Sequence, residues 1–190
     1  MEKEKKVGGY KHKEIHNHTR HRGICPTSVQ DEILVCLYNG YNDSQVVWMT
    51  TAGQIKQTIK KDKQQQSLYK DPQFVAENIN KDVVVDRYLP STIVVVNKKG
   101  EYRYKYPDWS ESSHSIYGCH GIACVNTGCI LVSGWGNHRI HQIDMDGRFI
   151  QFILTNQHGV QYPRGLSIDN KGQLWLFNKN HEDVLIIKYR

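Results

Sequence analysis

The amino-acid sequence predicts an all-β protein of the β-propeller class, and three observations carry that reading. Related segments recur along the 190 residues at a spacing of about 44 to 47. Each segment holds short apolar runs separated by turn residues, with almost no helical periodicity. The second run of each is apolar nearly without interruption, as expected of a strand covered on both faces. Four-stranded sheets stacked on their neighbours at this period are propeller blades.

The repeat is clearest in the second half. The segment starting at His120 aligns with the one starting at Arg164 at a constant offset of 44. Gly121 falls on Gly165, Gly128 on Gly172, Leu131 on Trp175 and Ile140 on Val184. An earlier copy, starting at Phe74, aligns with the His120 copy at an offset of 47: Ala76 on Ala123, Ile93 on Ile140, Gly100 on Gly147. A looser first copy places Gly53 47 residues before Gly100. This defines four blades, at about 22–70, 71–116, 117–161 and 162–190.

In the third copy the strands are expected at 121–125, 129–133, 139–144 and 148–154. The turns "VNTG" and "DMDG" place Gly128 and Gly147 where tight hairpins need positive φ. The polar stretch "KKDKQQQSLYKD" reads as a loop between blades. The last copy ends after its third strand and so lacks an outer one. Lys13–Thr19 is the segment available to supply it; otherwise the four blades form an open arc, cut from a longer propeller, with adhesive end faces.

Composition narrows the setting. Residues 1–22 hold seven Lys/Arg against three Glu, so about +4 of the net charge of +6 lies there, and residues 1–21 read as a basic, His-rich leader expected to be poorly ordered. The longest apolar runs are too short to span a bilayer, and the N-terminus lacks the apolar core of a secretory signal. A cytoplasmic location is expected. The five cysteines form no CxxC pair. Cys119, His120, Cys124 and Cys129 are close in sequence, but structural zinc favours two tight ligand pairs, so neither metal nor cofactor is expected.

"GIACVNTGCILVSGWGNHRIHQIDMDGRFI" resembles the NHL repeat, with its apolar first strand, Gly turn, "ILVS", "NHRI" and closing "DxxGxF". "PRGLSIDNKGQLWLFNKNHEDVLIIKY" resembles the terminal repeat of such domains, and the likeness extends over about residues 22–190. It is greatest to the NHL domains at the C-termini of invertebrate tripartite-motif (TRIM) proteins. The resemblance implies a propeller, typically of six blades, that binds RNA or protein. This chain departs from the family in having four copies, no RING-like Cys/His array and Gly134 in place of the usual acidic residue.

In an up-and-down blade, the inter-blade loops and the loops between second and third strands share one rim. That rim should gather Arg87, Tyr88, Tyr117, His120, Trp135, His138, Arg139, Tyr162, Arg164, Lys179 and His181. Rings mixed with cations suit single-stranded RNA, where rings stack on bases and cations meet phosphates. They equally suit a protein partner, for which Tyr, Trp and Arg serve as anchors. Asn137 and Arg139 also fit a structural role within the loop. No Ser-His-Asp set or nucleophile elbow is present. The expected function is therefore non-catalytic recognition, with no small-molecule substrate and with self-association through open blade faces. The alternatives are the substrate-recognition part of a TRIM-type ubiquitin ligase and a metal-dependent propeller lyase or lactonase.

Overall fold

A computed structural model describes the chain apart from residues 1–3, 8–9, 14–19, 41–42, 88–90, 109–113, 180–181 and 190, and gives the backbone alone for 4–7 and 10–13. In the leader, β1 (Glu4–Val7) and β2 (Tyr10–Lys13) form a separate antiparallel pair. Lys13 thus pairs with Glu4, and the rest of the stretch considered as a closing strand lies outside the described residues.

The blades follow. Blade 1 comprises β3 (Arg20–Pro26), β4 (Glu32–Tyr38), β5 (Gln45–Thr50) and β6 (Ile55–Ile59). Blade 2 comprises β7 (Val75–Glu77), β8 (Val83–Arg87), β9 (Thr92–Val96) and β10 (Tyr102–Tyr106). Blade 3 comprises β11 (Cys119–Cys124), β12 (Ile130–Gly134), β13 (Arg139–Ile143) and β14 (Phe149–Leu154). Blade 4 has β15 (Pro163–Ile168), β16 (Gln173–Asn178) and β17 (Asp183–Lys188), and among the described residues no fourth strand. Every sheet is an antiparallel meander, and the strands of blade 3 fall within two residues of the expected bounds.

Strand geometry explains the unbroken apolar runs. Successive side chains point to opposite faces, and each inner blade has a neighbour on both. In β12, Ile130 and Val132 turn back toward blade 2, while Leu131 points forward to blade 4. In β8, Val83 and Val85 point back and Val84 forward. The innermost strands alternate likewise: Val75, Ile122 and Leu166 face the preceding blade, while Cys25, Ala76 and Ala123 face the following one. A strand that feeds two cores has no polar face to show.

The polar stretch after β6 is a loop, as expected, but it delivers Leu68 and Tyr69 into the core between blades 1 and 2. Between blades 2 and 3, Arg103 of β10 pairs with Asp82 of its own blade. It also reaches across to Asp146 at 2.7 Å and to the Met145 carbonyl at 3.2 Å.

The arc is open. β3 and β4 pack on β7, β7 and β8 on β11, and β11 and β12 on β15. No comparable packing joins blade 4 to blade 1 among the described residues. Accordingly Ile24, the counterpart of Ile122 and Leu166, is 66% exposed. On the far face of blade 4, Trp175, Phe177, Val184 and Ile186 are all exposed.

Candidate functional site

The rim loops of three blades meet at a cleft of about 510 Å³. Its floor is set by the segment leading into blade 3. Gly118 has a left-handed backbone (φ 69°), which a side chain would strain, and a Cβ there would crowd the His120 ring at 3.3 Å. Its N–H donates to Ser91 Oγ of blade 2 (3.0 Å), and its carbonyl accepts from Trp135 N–H (2.8 Å). The Tyr117 carbonyl accepts from Gly136 N–H (2.7 Å). The two loops are thereby zipped together, and Trp135 is fixed between them.

Trp135 is the hub of the cleft. Its ring centroid lies 5.8 Å from that of His120 and 4.9 Å from that of Tyr162. The Lys179 ammonium lies 6.0 Å from the same ring, within reach of a cation–π attraction. Among the described residues the buried Nε1–H of Trp135 meets no acceptor. Tyr117 and Arg164, both exposed, line the cleft with it. His120 is held below the usual imidazole pKa, first by burial and then by the charges of Arg164 and Lys179. At neutral pH its ring is uncharged, so it can both donate and accept. Among the described residues no carboxylate lines the cleft.

The structure thus brings together Tyr117, His120, Trp135, Tyr162, Arg164 and Lys179. His138 has a bracing role. Its Nδ1 accepts from Tyr162 N–H (3.0 Å), and its ring stands edge-on to Tyr162 at 4.4 Å. Both backbones are left-handed (φ 54° and 50°), so this contact fixes an otherwise strained passage from blade 3 to blade 4.

Two expected members lie elsewhere. Arg139 turns away from the cleft and sits over the Phe152 ring at 4.6 Å, because successive strand residues take opposite faces. Arg87, at the end of β8, is half-buried, and burial lowers its guanidinium pKa; it does not line the cleft. Tyr88 and His181 lie outside the described residues. Asn137 braces its loop: its amide donates to the Ser115 carbonyl at 2.8 Å.

The cysteines near His120 diverge. Cys119 and Cys124 pack between blades 2 and 3, and Cys129 between blades 3 and 4. Among the described residues no group of three or more His, Cys, Asp or Glu converges as metal ligands, and no helix is long and apolar enough to cross a membrane. Sequence alone does not single out Ser91, Gly118 and Gly136, which also line the cleft. Only the Gly-Trp-Gly spacing around Trp135 hinted that backbone approaches there so closely.

Comparison with known proteins places the architecture in context. No family model matches the chain. Protein brain tumor of Drosophila melanogaster is 26% identical over 108 residues, which is 56% of this chain and 10% of that protein. The chain thus matches about a tenth of its relative's length. Among solved structures, a virginiamycin B lyase from Staphylococcus aureus superposes with a TM-score of 0.65 at 15% identity, covering all of this chain and 60% of the lyase. A chain of the nidogen–laminin complex superposes with a TM-score of 0.66 at 13% identity, covering 95% of this chain and 64% of that one. These likenesses show the β-propeller fold, on which unrelated functions are built.

Proposed function

We propose that the chain is a non-catalytic recognition module of NHL type whose rim cleft takes single-stranded RNA. One observation carries this reading. Two rings, Tyr117 and Trp135, and two cations, Arg164 and Lys179, meet at a cleft that no carboxylate among the described residues lines. A base stacked against Tyr117 or Trp135 would put its phosphate within the field of the cations. The His120 ring, edge-on to Trp135, adds a third ring to the same wall. The NHL-like sequence of blade 3 and the partial identity to Protein brain tumor support the NHL type of the module.

The test is a salt-titrated binding assay with short RNA pools. Trp135→Ala should weaken binding by about 5- to 100-fold, the loss of one base stack. Arg164→Ala and Lys179→Ala should each flatten the slope of log K against log salt by about 0.7. Absence of RNA binding above background at low salt would overturn the RNA assignment. A protein partner would then be the occupant to seek on this rim.

A further inference from the structure

The two ends of the arc carry opposite halves of one joint. At two of the three joints within the molecule, the next blade's innermost strand arrives where the backbones nearly touch; at the third, Phe74 stands at the repeat position of Gly121. A Cβ on Gly23 would fall 2.5 Å from the Gln73 carbonyl of blade 2. A Cβ on Gly121 would fall 2.2 Å from the Arg164 carbonyl of blade 4. Only glycine admits such an approach. Gly165 is the repeat counterpart of Gly121, yet nothing lies within 4 Å of its Cβ position. The glycine that admits a following strand is present on blade 4, and among the described residues no strand occupies its place.

The surrounding side chains match. Trp175 and Val184 stand at the repeat positions of Leu131 and Ile140, which are wholly buried against blade 4. Instead, Trp175 is 40% and Val184 53% exposed, with Phe177 and Ile186 beside them. Apolar area of this kind, contiguous on one face, marks an interface.

The complementary half is on blade 1. Ile24 occupies the place of Leu166, the residue that β15 sends back into blade 3, and it is the most exposed apolar side chain of that strand. In the existing joint β16 adds Leu174 and Leu176 to the shared core, but the closest approach is that of β11 and β12 to β15, the incoming blade's innermost strand. That strand is the uncovered part of blade 1. Farther out on the same face, Leu37, Val47 and Met49 are already buried.

We infer that a second copy of this chain seats its β3 on the free face of blade 4, repeating between molecules the joint made between blades 3 and 4. The contact is head-to-tail, and because every copy carries both halves, a two-fold pair makes it twice. Eight blades in such a ring lie within the range known for propellers.

The test is solution mass by light scattering and sedimentation, with two variants. The 22.1 kDa chain should associate, with at least twice that mass at high concentration. Gly165→Val should be monomeric, since its side chain meets nothing in the single molecule and blocks the incoming strand. Ile24→Asp should be monomeric too. Mixing the two variants should restore association, because one retains the donor half and the other the acceptor half. A wild-type chain that stays monomeric at about 100 μM, where a micromolar interface is saturated, would overturn the inference. So would association that survives either substitution, or two monomeric variants that fail to complement while each keeps its β-sheet circular dichroism.

Discussion

The Tyr106 hydroxyl lies 3.1 Å from Nδ1 of His141, across the joint between blades 2 and 3. His141 is wholly buried, and Phe152 stands edge-on to its ring at 4.9 Å. Burial first, and the charges of Arg139 and His114 after it, bring its pKa down to about 3. A histidine kept neutral here serves the core, although in sequence it belongs to the same cluster of rings and cations as Trp135.

This neutral histidine gives stability a slope. The unfolded chain takes up a proton near pH 6.5 and the folded one only near 3, so His141 lowers stability as pH falls through 6.5 toward 3. Asp86 acts in the opposite sense. Buried, with Gln73 and Phe74 N–H donating to one oxygen at 2.6 Å, its carboxyl is pushed up to about 7. Its contribution is complete below the ordinary carboxylate pKa and is lost as pH rises through 7. Between pH 5 and 7 each change amounts to about 2 kcal/mol, so the two nearly cancel. Urea unfolding of Asp86→Asn should show stability rising from pH 5 to 7, and of His141→Gln falling. A flat profile in either variant contradicts the assignment.

The glycines at the joints are not equivalent. Gly121→Ala forces a methyl against the Arg164 carbonyl and should destabilise by about 3 kcal/mol or more, the scale of severe overpacking. Gly165→Ala, with open space around it, should stay within about 0.5 kcal/mol of wild type. Denaturant midpoints of the two variants, measured on dilute monomer, decide this. Equal costs would mean that close approach is not what matters at Gly121.

Arg103 ties two blades together through unequal partners. Asp82 is buried and Asp146 about half exposed. Arg103→Ala leaves the Asp82 carboxylate without its cation and should cost about 2 kcal/mol. Asp146→Ala removes a solvated partner and should cost less than about 1 kcal/mol. Thermal unfolding at two salt concentrations separates the cases, since only the exposed pair should weaken with salt.

Arg139 provides a control for the rim. Its guanidinium covers Phe152 instead of facing the cleft. Arg139→Ala should cost about 0.5–1 kcal/mol of stability and leave RNA affinity and its salt slope unchanged. A loss of affinity as large as that of Trp135→Ala would place Arg139 in the site after all.

The blades were legible because their physics is local. Spacing, Gly turns and runs such as the valines of β8 and β9 specify strand, hairpin and two-sided burial without reference to distant residues. The rim was legible as topology, which put Tyr117, Trp135, Tyr162, Arg164 and Lys179 on one side of the arc. Side-chain direction was not. At the turn from β12 to β13, one residue of displacement separates His138, which faces blade 4, from Arg139, which faces the outer strand. Nor did composition reveal that a polar loop would carry Tyr69 into a core, since that contact depends on how far a loop folds back. The far face of blade 4 could be foreseen only as an open end. Its fitness for a partner came from the space at Gly165, which exists only in three dimensions.

An open arc has one joint fewer than a ring of equal size, and among the described residues its last blade is braced from one side. Tyr162, Arg164 and Lys179 belong to that blade, so half of the cleft rests on the part of the molecule that should fray first. A partner gripping both sides of the cleft would therefore stabilise blade 4 in proportion to its occupancy. Amide protection along β15, β16 and β17 becomes a gauge of binding: recognition and the integrity of the last blade are one equilibrium.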